Sequence, residues 1–169
     1  YPFWFEFFTA LKYRVVLSPP STRKIYELGI ESIPSESECY PAKLAHGHVT
    51  WLIKQGVPFI FYPCIPYERN EFAEANNHYN CPIVTSYAEN IKNNIDELKD
   101  GSIRFENPFL SFASEDTICK QMIKAFPDIP KEEVRAAVKT GWQELARTRQ
   151  AMYDKGEETL KWMEENGRH

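Results

Sequence analysis

The stretch Phe59-Ile60-Phe61-Tyr62-Pro63-Cys64 decides the fold class of this chain. Its first four residues are apolar or aromatic, which is typical of a strand covered on both faces in a parallel sheet, and Pro63 marks its end. Helical patterns lie on both sides, and strands that alternate with helices of about ten to fifteen residues indicate βαβ units. We therefore predict an α/β fold with a mostly parallel sheet of about four to five short strands flanked by helices.

The other elements are predicted outward from that strand. Four further apolar or β-branched runs are predicted as strands, at residues 13–18, 30–33, 83–85 and 103–105. Helices are predicted over residues 3–12, from a cap at Ser21 or Thr22 to Gly29, from Pro41 to Gly56, from a capping box at Ser86 to Leu98, and over residues 118–126.

The last helical pattern is the longest. Apolar residues at helical spacing continue over residues 131–165 while charged residues become dense, which predicts a long C-terminal helical extension that could break at Gly141 or Gly156. The chain opens at Tyr1, without a methionine, already in a helical pattern. We expect residues 1–169 to form a single α/β domain that is an excised lobe of a larger multidomain protein.

Composition excludes several classes of protein. The chain has 169 residues and a net charge of −4, so it has no general attraction to nucleic acid or to anionic lipid. The sequence contains no run of eighteen apolar residues, the length that would predict a membrane span. Four cysteines without a signal peptide favour a reducing compartment, where clustered cysteines bind metal more often than they form disulfides. We expect a cytoplasmic protein with no nucleic-acid or membrane partner.

Three of the cysteines lie beside prolines within residues 35–86. Cys64 follows the predicted strand at 59–62, and Cys39 lies between the predicted strand at 30–33 and the helix that Pro41 begins. Both thiols are therefore predicted at the rim of the sheet where ligands bind. The positive end of a helix N-terminus there favours the thiolate, which is the form that binds soft metals. Lys43, in the first turn, could add positive charge to a bound cofactor.

Cys81 is a third candidate ligand with an argument on each side. The predicted strand at 83–85 places it on the opposite rim, whereas its neighbour His78 favours a site, and His78 is itself a candidate cofactor-binding residue. Separations of 25 and 17 residues between the three cysteines match neither a zinc-ribbon pair nor a ferredoxin run. Burial as three small hydrophobic side chains is the alternative. Cys119 is predicted in the core.

Other motifs are missing or unsuitable. His46 and His48 point about 200° apart on a regular helix, so they cannot both bind one ion. The sequence contains no dinucleotide fingerprint, no P-loop, no GxSxG and no HExxH. No catalytic residue is assigned, and the chain holds no complete active site.

Three segments resemble a family of uncharacterised domains from large proteins related to the activases and catalytic components of 2-hydroxyacyl-CoA dehydratases. These are Cys39-Tyr40-Pro41-Ala42-Lys43, the segment from Phe61 to Glu68, and the segment from His78 to Tyr87. The resemblance covers nearly the whole chain. It implies an N-terminal lobe that shares a 4Fe-4S cluster with a second lobe, with Cys39 and Cys64 as the first lobe's two ligands. The implied partners are that second lobe and an activase or dehydratase component.

Three hypotheses follow. The first is an iron-sulfur-binding or electron-transfer lobe, inactive alone and at most part of a dehydratase-type lyase assembly. The second is a non-catalytic docking or scaffold domain that uses the loop at 67–79 and the charged helix after Gly141. The third is a structural zinc site made by Cys39, Cys64 and Cys81 with His78.

Overall fold

The computed structural model describes residues 1–168, and the chain divides into two compact units, each with its own internal packing. The first unit combines Tyr1–Val15 with the segment from Phe126 onward, and the second is Val16–Ala125. The fold is α/β with short parallel strands and a long C-terminal helix, as the sequence predicts.

Helices and short strands alternate along the described residues. The helices are α1 (Pro2–Ala10), α2 (Arg23–Gly29), α3 (Tyr40–Lys54), α4 (Pro82–Asn94), α5 (Asp96–Lys99), α6 (Glu115–Ala125) and α7 (Lys131–Glu165). The strands are β1 (Phe59–Phe61), β2 (Cys64–Tyr67), β3 (Arg104–Glu106) and β4 (Phe109–Ser111).

The first unit is built by aromatic side chains of α1 that pack on α7. Phe3 is buried and meets Trp142 edge to face with ring centroids 6.4 Å apart, and Phe7 lies 6.4 Å from Phe126. The helix α7 is continuous over 35 residues and passes through Gly141 and Gly156 without a break. Its second half is exposed, which agrees with the predicted charged extension.

The second unit is organised around a parallel two-stranded ribbon that two prolines interrupt. Strand β1 pairs with β3, and β2 pairs with β4. The amide of Tyr62 donates to Glu106 O at 2.9 Å, and the amide of Cys64 donates to Pro108 O at 2.9 Å, so the two pairings are continuous in space. Pro108 has no amide proton, so the ladder lacks one donor between these two hydrogen bonds and the regular strands are interrupted there.

This interruption explains two elements that sequence reasoning missed. The strand predicted at 59–62 and the strand predicted at 103–105 correspond to β1 and β3. Pro63 does not end the pairing as predicted, because β2 begins one residue later, and β4 likewise begins one residue after Pro108. The core cluster beside the ribbon contains Ile60, Cys64, Ala88, Ile91 and Phe105.

Three predicted strands were wrong. Residues 13–18 lie outside every described helix and strand. Residues 30–32 form a 3₁₀ turn directly after α2, closed by the Ser32 hydroxyl, which donates to Gly29 O at 2.9 Å. Residues 83–85 are the first turn of α4, because Pro82 begins that helix and Ala88 and Ile91 define a buried helical face. The capping box predicted at Ser86 therefore lies inside the helix.

Two helix predictions were confirmed with their caps. Thr22 caps α2 by accepting a hydrogen bond from the Ile25 amide at 3.3 Å, and α2 ends at Gly29. Pro41 lies in the first turn of α3 and Cys39 is the N-cap residue. Within residues 1–168 no helix has both the length and the apolar character needed to cross a bilayer.

Helices α2 and α3 approach each other through glycine. A Cβ on Gly47 would lie 1.9 Å from Ile25 O, and a Cβ on Gly29 would lie 2.3 Å from the Gly47 nitrogen. Both distances are far below van der Waals contact, and the neighbouring atoms belong to the backbone. This contact fixes α3, and hence its N-terminus, against α2.

We expect Gly47→Ala to lower the free energy of unfolding by about 3 kcal/mol, because the methyl group must displace the α2 backbone. Urea unfolding followed by circular dichroism measures this change. Gly156→Ala is the matched control, since nothing lies within 4 Å of its added Cβ. That variant should be neutral or more stable by up to about 1 kcal/mol through helix propensity. Equal changes in the free energy of unfolding for Gly47→Ala and Gly156→Ala would contradict the close approach of α2 and α3.

Candidate functional site

Two exposed cysteines occupy the N-termini of two neighbouring helices. Cys39 is the N-cap of α3 and Cys81 is the N-cap of α4, and a proline lies in the first turn of each helix. The first amides of a helix have no partner within the helix, so its N-terminus attracts negative charge. Cys81 therefore lies at a helix start, and the strand-polarity argument against it falls with the strand predicted at 83–85.

Tyr87 on α4 contacts the Cys39 sulfur. Its hydroxyl oxygen lies 3.6 Å from the Cys39 sulfur. This contact is the main reason that the pKa of Cys39 is lowered, and the amide of Ala42 in the first turn of α3 adds to the effect. The pKa of Tyr87 is raised, first by burial and then by its contact with Cys39, with smaller contributions from the charges of Tyr62 and Cys81. The Tyr87 hydroxyl therefore favours the thiolate form of Cys39.

Cys64 has a different environment. It is the first residue of β2 and is 0% exposed, within the core cluster on which Tyr62 and Tyr87 also pack. Burial raises the pKa of the Cys64 thiol, and the negative charge of Glu89 raises it further. Burial, with the charge of Cys64, also raises the pKa of Tyr62 to about 12. Cys64 is therefore a buried thiol with a raised pKa, whereas Cys39 and Cys81 are exposed.

Glu38, the residue before Cys39, belongs to a buried polar network. The side chain of Glu38 accepts a hydrogen bond from Asn90 Nδ2, and its Oε2 lies 4.0 Å from His46 Nε2. His46 is 1% exposed, and its Nδ1 lies 2.9 Å from the Ser32 hydroxyl. Burial lowers the pKa of His46, although the charge of Glu38 opposes the shift. His48, in contrast, is half-buried and lies 2.9 Å from the Ser21 hydroxyl.

The other predicted residues occupy separate positions. Lys43 Nζ donates to the Glu36 carbonyl at 2.8 Å and so orders the loop before Cys39. His78 is half-buried in the long loop, with its ring centroid 6.0 Å from that of Tyr67. Its carbonyl accepts the Glu68 amide at 2.9 Å, and Tyr79 forms an antiparallel bridge with Tyr67. Cys119 on α6 is partly buried.

The three predicted cysteines do not form a finished metal site. Across residues 1–168 the structure groups no three histidine, cysteine, aspartate or glutamate side chains so that they could hold an ion. Sequence reasoning missed Tyr87 and Asn90, which lie on one face of α4 one helical turn apart. Tyr87 stands 48 residues from Cys39, and no local pattern signals such a contact.

We expect Tyr87→Phe to slow alkylation of Cys39 by iodoacetamide several-fold near neutral pH. Loss of the hydroxyl raises the pKa of Cys39, so less thiolate is present at any pH below that pKa. The rates of parent and variant should converge at high pH, where both thiols are ionised. Peptide-resolved mass spectrometry of the labelled protein over a pH series measures this.

Tyr40→Phe is the matched control for that experiment. Tyr40 is exposed, adjacent to Cys39, and packs its ring 5.4 Å from that of Tyr26. It should leave the pH profile of Cys39 unchanged. Identical profiles for parent and Tyr87→Phe would show that the Tyr87 hydroxyl does not stabilise the thiolate.

Comparison with known proteins identifies the family to which the chain belongs. Searches of curated proteins and of solved structures found no match to the chain. Residues 1–169 match the family described as CoA enzyme activase uncharacterised domain (DUF2229), which covers all three cysteine segments. This chain therefore belongs to the CoA enzyme activase uncharacterised domain family.

Proposed function

We propose that this domain supplies thiolate ligands to an iron-sulfur cluster in an assembly that contains a CoA enzyme activase. The observation that carries the proposal is the pair of exposed cysteines, Cys39 and Cys81, at the N-termini of α3 and α4, with the Tyr87 hydroxyl 3.6 Å from the Cys39 sulfur. Membership of the activase domain family supports the setting.

The chemistry of these donors fits a cluster. Iron-sulfur clusters are bound by thiolates, and hydrogen bonds to the sulfurs tune their potential. The lowered pKa of Cys39 provides a thiolate at less cost than an ordinary thiol. Tyr87 would donate its hydroxyl proton to that sulfur, because a group with a raised pKa keeps its proton. When bound, the cluster would supply one-electron transfer.

Two exposed cysteines are fewer than the ligands that a 4Fe-4S cluster takes. Cys64 is the third predicted ligand, but it is buried with a raised pKa, so metal binding there requires the residues over β2 to move. We propose that the remaining ligands come from a second lobe of the same protein, as the resemblance of the sequence implies. An activase or dehydratase component is the proposed partner for electron transfer.

Aromatic and aliphatic side chains around the thiols are suited to contact with such a lobe. The exposed members are Tyr40 beside Cys39, Ile83 and Val84 beside Cys81, and Tyr79 in the preceding loop. Polar residues would be expected there if the surface faced only water. A covering lobe would also exclude water from the cluster.

Anaerobic reconstitution with iron and sulfide tests the proposal. It should be done on the chain together with the remainder of its native protein, followed by iron analysis and visible absorption. We expect Cys39→Ser and Cys81→Ser each to lose most of the bound iron, because each removes a thiolate. Cys119→Ser is the control and should retain the parental iron content, since Cys119 lies on α6 and is partly buried.

The metal content of the other variants shows whether Cys64 is a ligand and separates the cluster from a structural zinc site. If Cys64→Ser loses as much iron as Cys39→Ser, Cys64 is a ligand despite its burial in the free domain. Stoichiometric zinc in protein purified without chelator, with a melting temperature that falls on chelation, would favour a structural zinc site. Equal iron in the parent and in all three serine variants at positions 39, 64 and 81 would refute a cysteine-bound cluster.

A further inference from the structure

We propose that Glu38 is a positioning residue that holds the Cys39 sulfur against Tyr87, an inference that rests on the proposed role of Cys39 as a ligand. Glu38 directly precedes Cys39, and the two side chains contact α4 one helical turn apart. Glu38 accepts from Asn90 and Cys39 meets Tyr87. The backbone of Cys39 is thereby docked on α4 by two adjacent side-chain contacts.

The burial of Glu38 makes this docking restrictive. The side chain of Glu38 is only 9% exposed, whereas carboxylates are ordinarily at the surface. Its Oε2 is buried and has no hydrogen-bond partner among the residues that the structure describes. Glu36, two residues earlier, is exposed. Burying a carboxylate costs free energy unless its oxygens have partners. The position of the Glu38 side chain therefore depends closely on its few contacts, such as the hydrogen bond from Asn90.

The partner on α3 has a defined orientation. The Ser32 hydroxyl donates its one proton to Gly29 O at 2.9 Å, so it must accept from His46 Nδ1, which lies 2.9 Å away. In the neutral ring this leaves a lone pair on Nε2, which faces Glu38 Oε2 at 4.0 Å. Glutamine at position 38 would therefore suit the site. Its oxygen can accept from Asn90 and its amide can donate toward Nε2.

The other anchors near Cys39 act on its backbone rather than on its side chain. Lys43 Nζ binds the Glu36 carbonyl and the Lys43 amide binds the Cys39 carbonyl at 3.2 Å, so both fix the backbone. No capping hydrogen bond from α3 holds the Cys39 sulfur in place, although the nearby Ala42 amide favours its thiolate. Glu38 is the residue that ties the same turn of chain to α4, where Tyr87 lies. Loss of this tie should separate the sulfur from the hydroxyl.

The test is the alkylation rate of Cys39 in the full chain, measured by peptide-resolved mass spectrometry with iodoacetamide at neutral pH. Glu38→Ala should slow the reaction several-fold, as Tyr87→Phe does, because both variants lose the sulfur–hydroxyl contact. Glu38→Gln should react at least as fast as the parent, because it keeps the geometry and removes a negative charge beside the thiol. Asn90→Ala removes the other partner of the same hydrogen bond and should slow the alkylation of Cys39 as Glu38→Ala does.

A double-mutant cycle distinguishes positioning from a general loss of structure. Tyr87→Phe should slow Cys39 in the Glu38→Gln background and have little further effect in the Glu38→Ala background. Unchanged Cys39 rates in Glu38→Ala and Asn90→Ala, or additive effects with Tyr87→Phe, would overturn the proposal. If Glu38→Ala does not fold, the Cys39 alkylation rates of Asn90→Ala and Glu38→Gln test the same proposal. None of these rates depends on iron, so a failed reconstitution leaves this test intact.

Discussion

The packing of α4 on β2 is the interaction on which the site depends. The carbonyl of Ile65 on β2 accepts from Asn80 Nδ2 at 2.9 Å and from Thr85 Oγ1 at 3.5 Å, so the start of α4 is held at the strand. Ala88 and Ile91 then bury the next turns of α4 in the cluster that contains Cys64. This packing places Tyr87 above the ribbon, where the segment before α3 can reach it.

The three thiols show how strongly burial separates chemically identical residues. Cys39 has an acidified thiol because a hydroxyl and a helix amide lie beside it, whereas Cys64 has a thiol made less acidic by its burial and by Glu89. Cys81 is exposed at the N-terminus of α4, the same helix that carries Tyr87. Their separation along the chain says little about which of them can act together.

Local chemistry explains the parts of the fold that the sequence predicts well. Thr22 and Gly29 mark α2, Pro41 marks the start of α3, and the apolar run at 59–62 marks β1, because each signal acts within one or two turns of chain. The apolar residues at 83 and 84 misled for the opposite reason. They are exposed on the first turn of α4, where the proline at 82 governs the backbone and their β-propensity has no strand to join.

The candidate site was predicted only in part for a related reason. The positions of Cys39 and Cys81 beside prolines point to helix starts, and Cys39 was expected there. The pairing of Cys39 with Tyr87, and of Glu38 with Asn90, joins residues about fifty positions apart. Such contacts arise only when α3 and α4 pack together, and no periodicity within either helix records them.

The two prolines in the ribbon bear on how Cys64 could ever meet a solute. Tyr62 and Cys64 donate to the other strand on either side of Pro63, but Pro108 between them has no amide to donate in return, so separating the strands there breaks fewer hydrogen bonds than at a fully paired level. Local opening of the native state would begin at the level of Pro63 and Pro108. A buried sulfur one residue beyond it can thus become transiently accessible through a small fluctuation, without the cooperative melting of the domain.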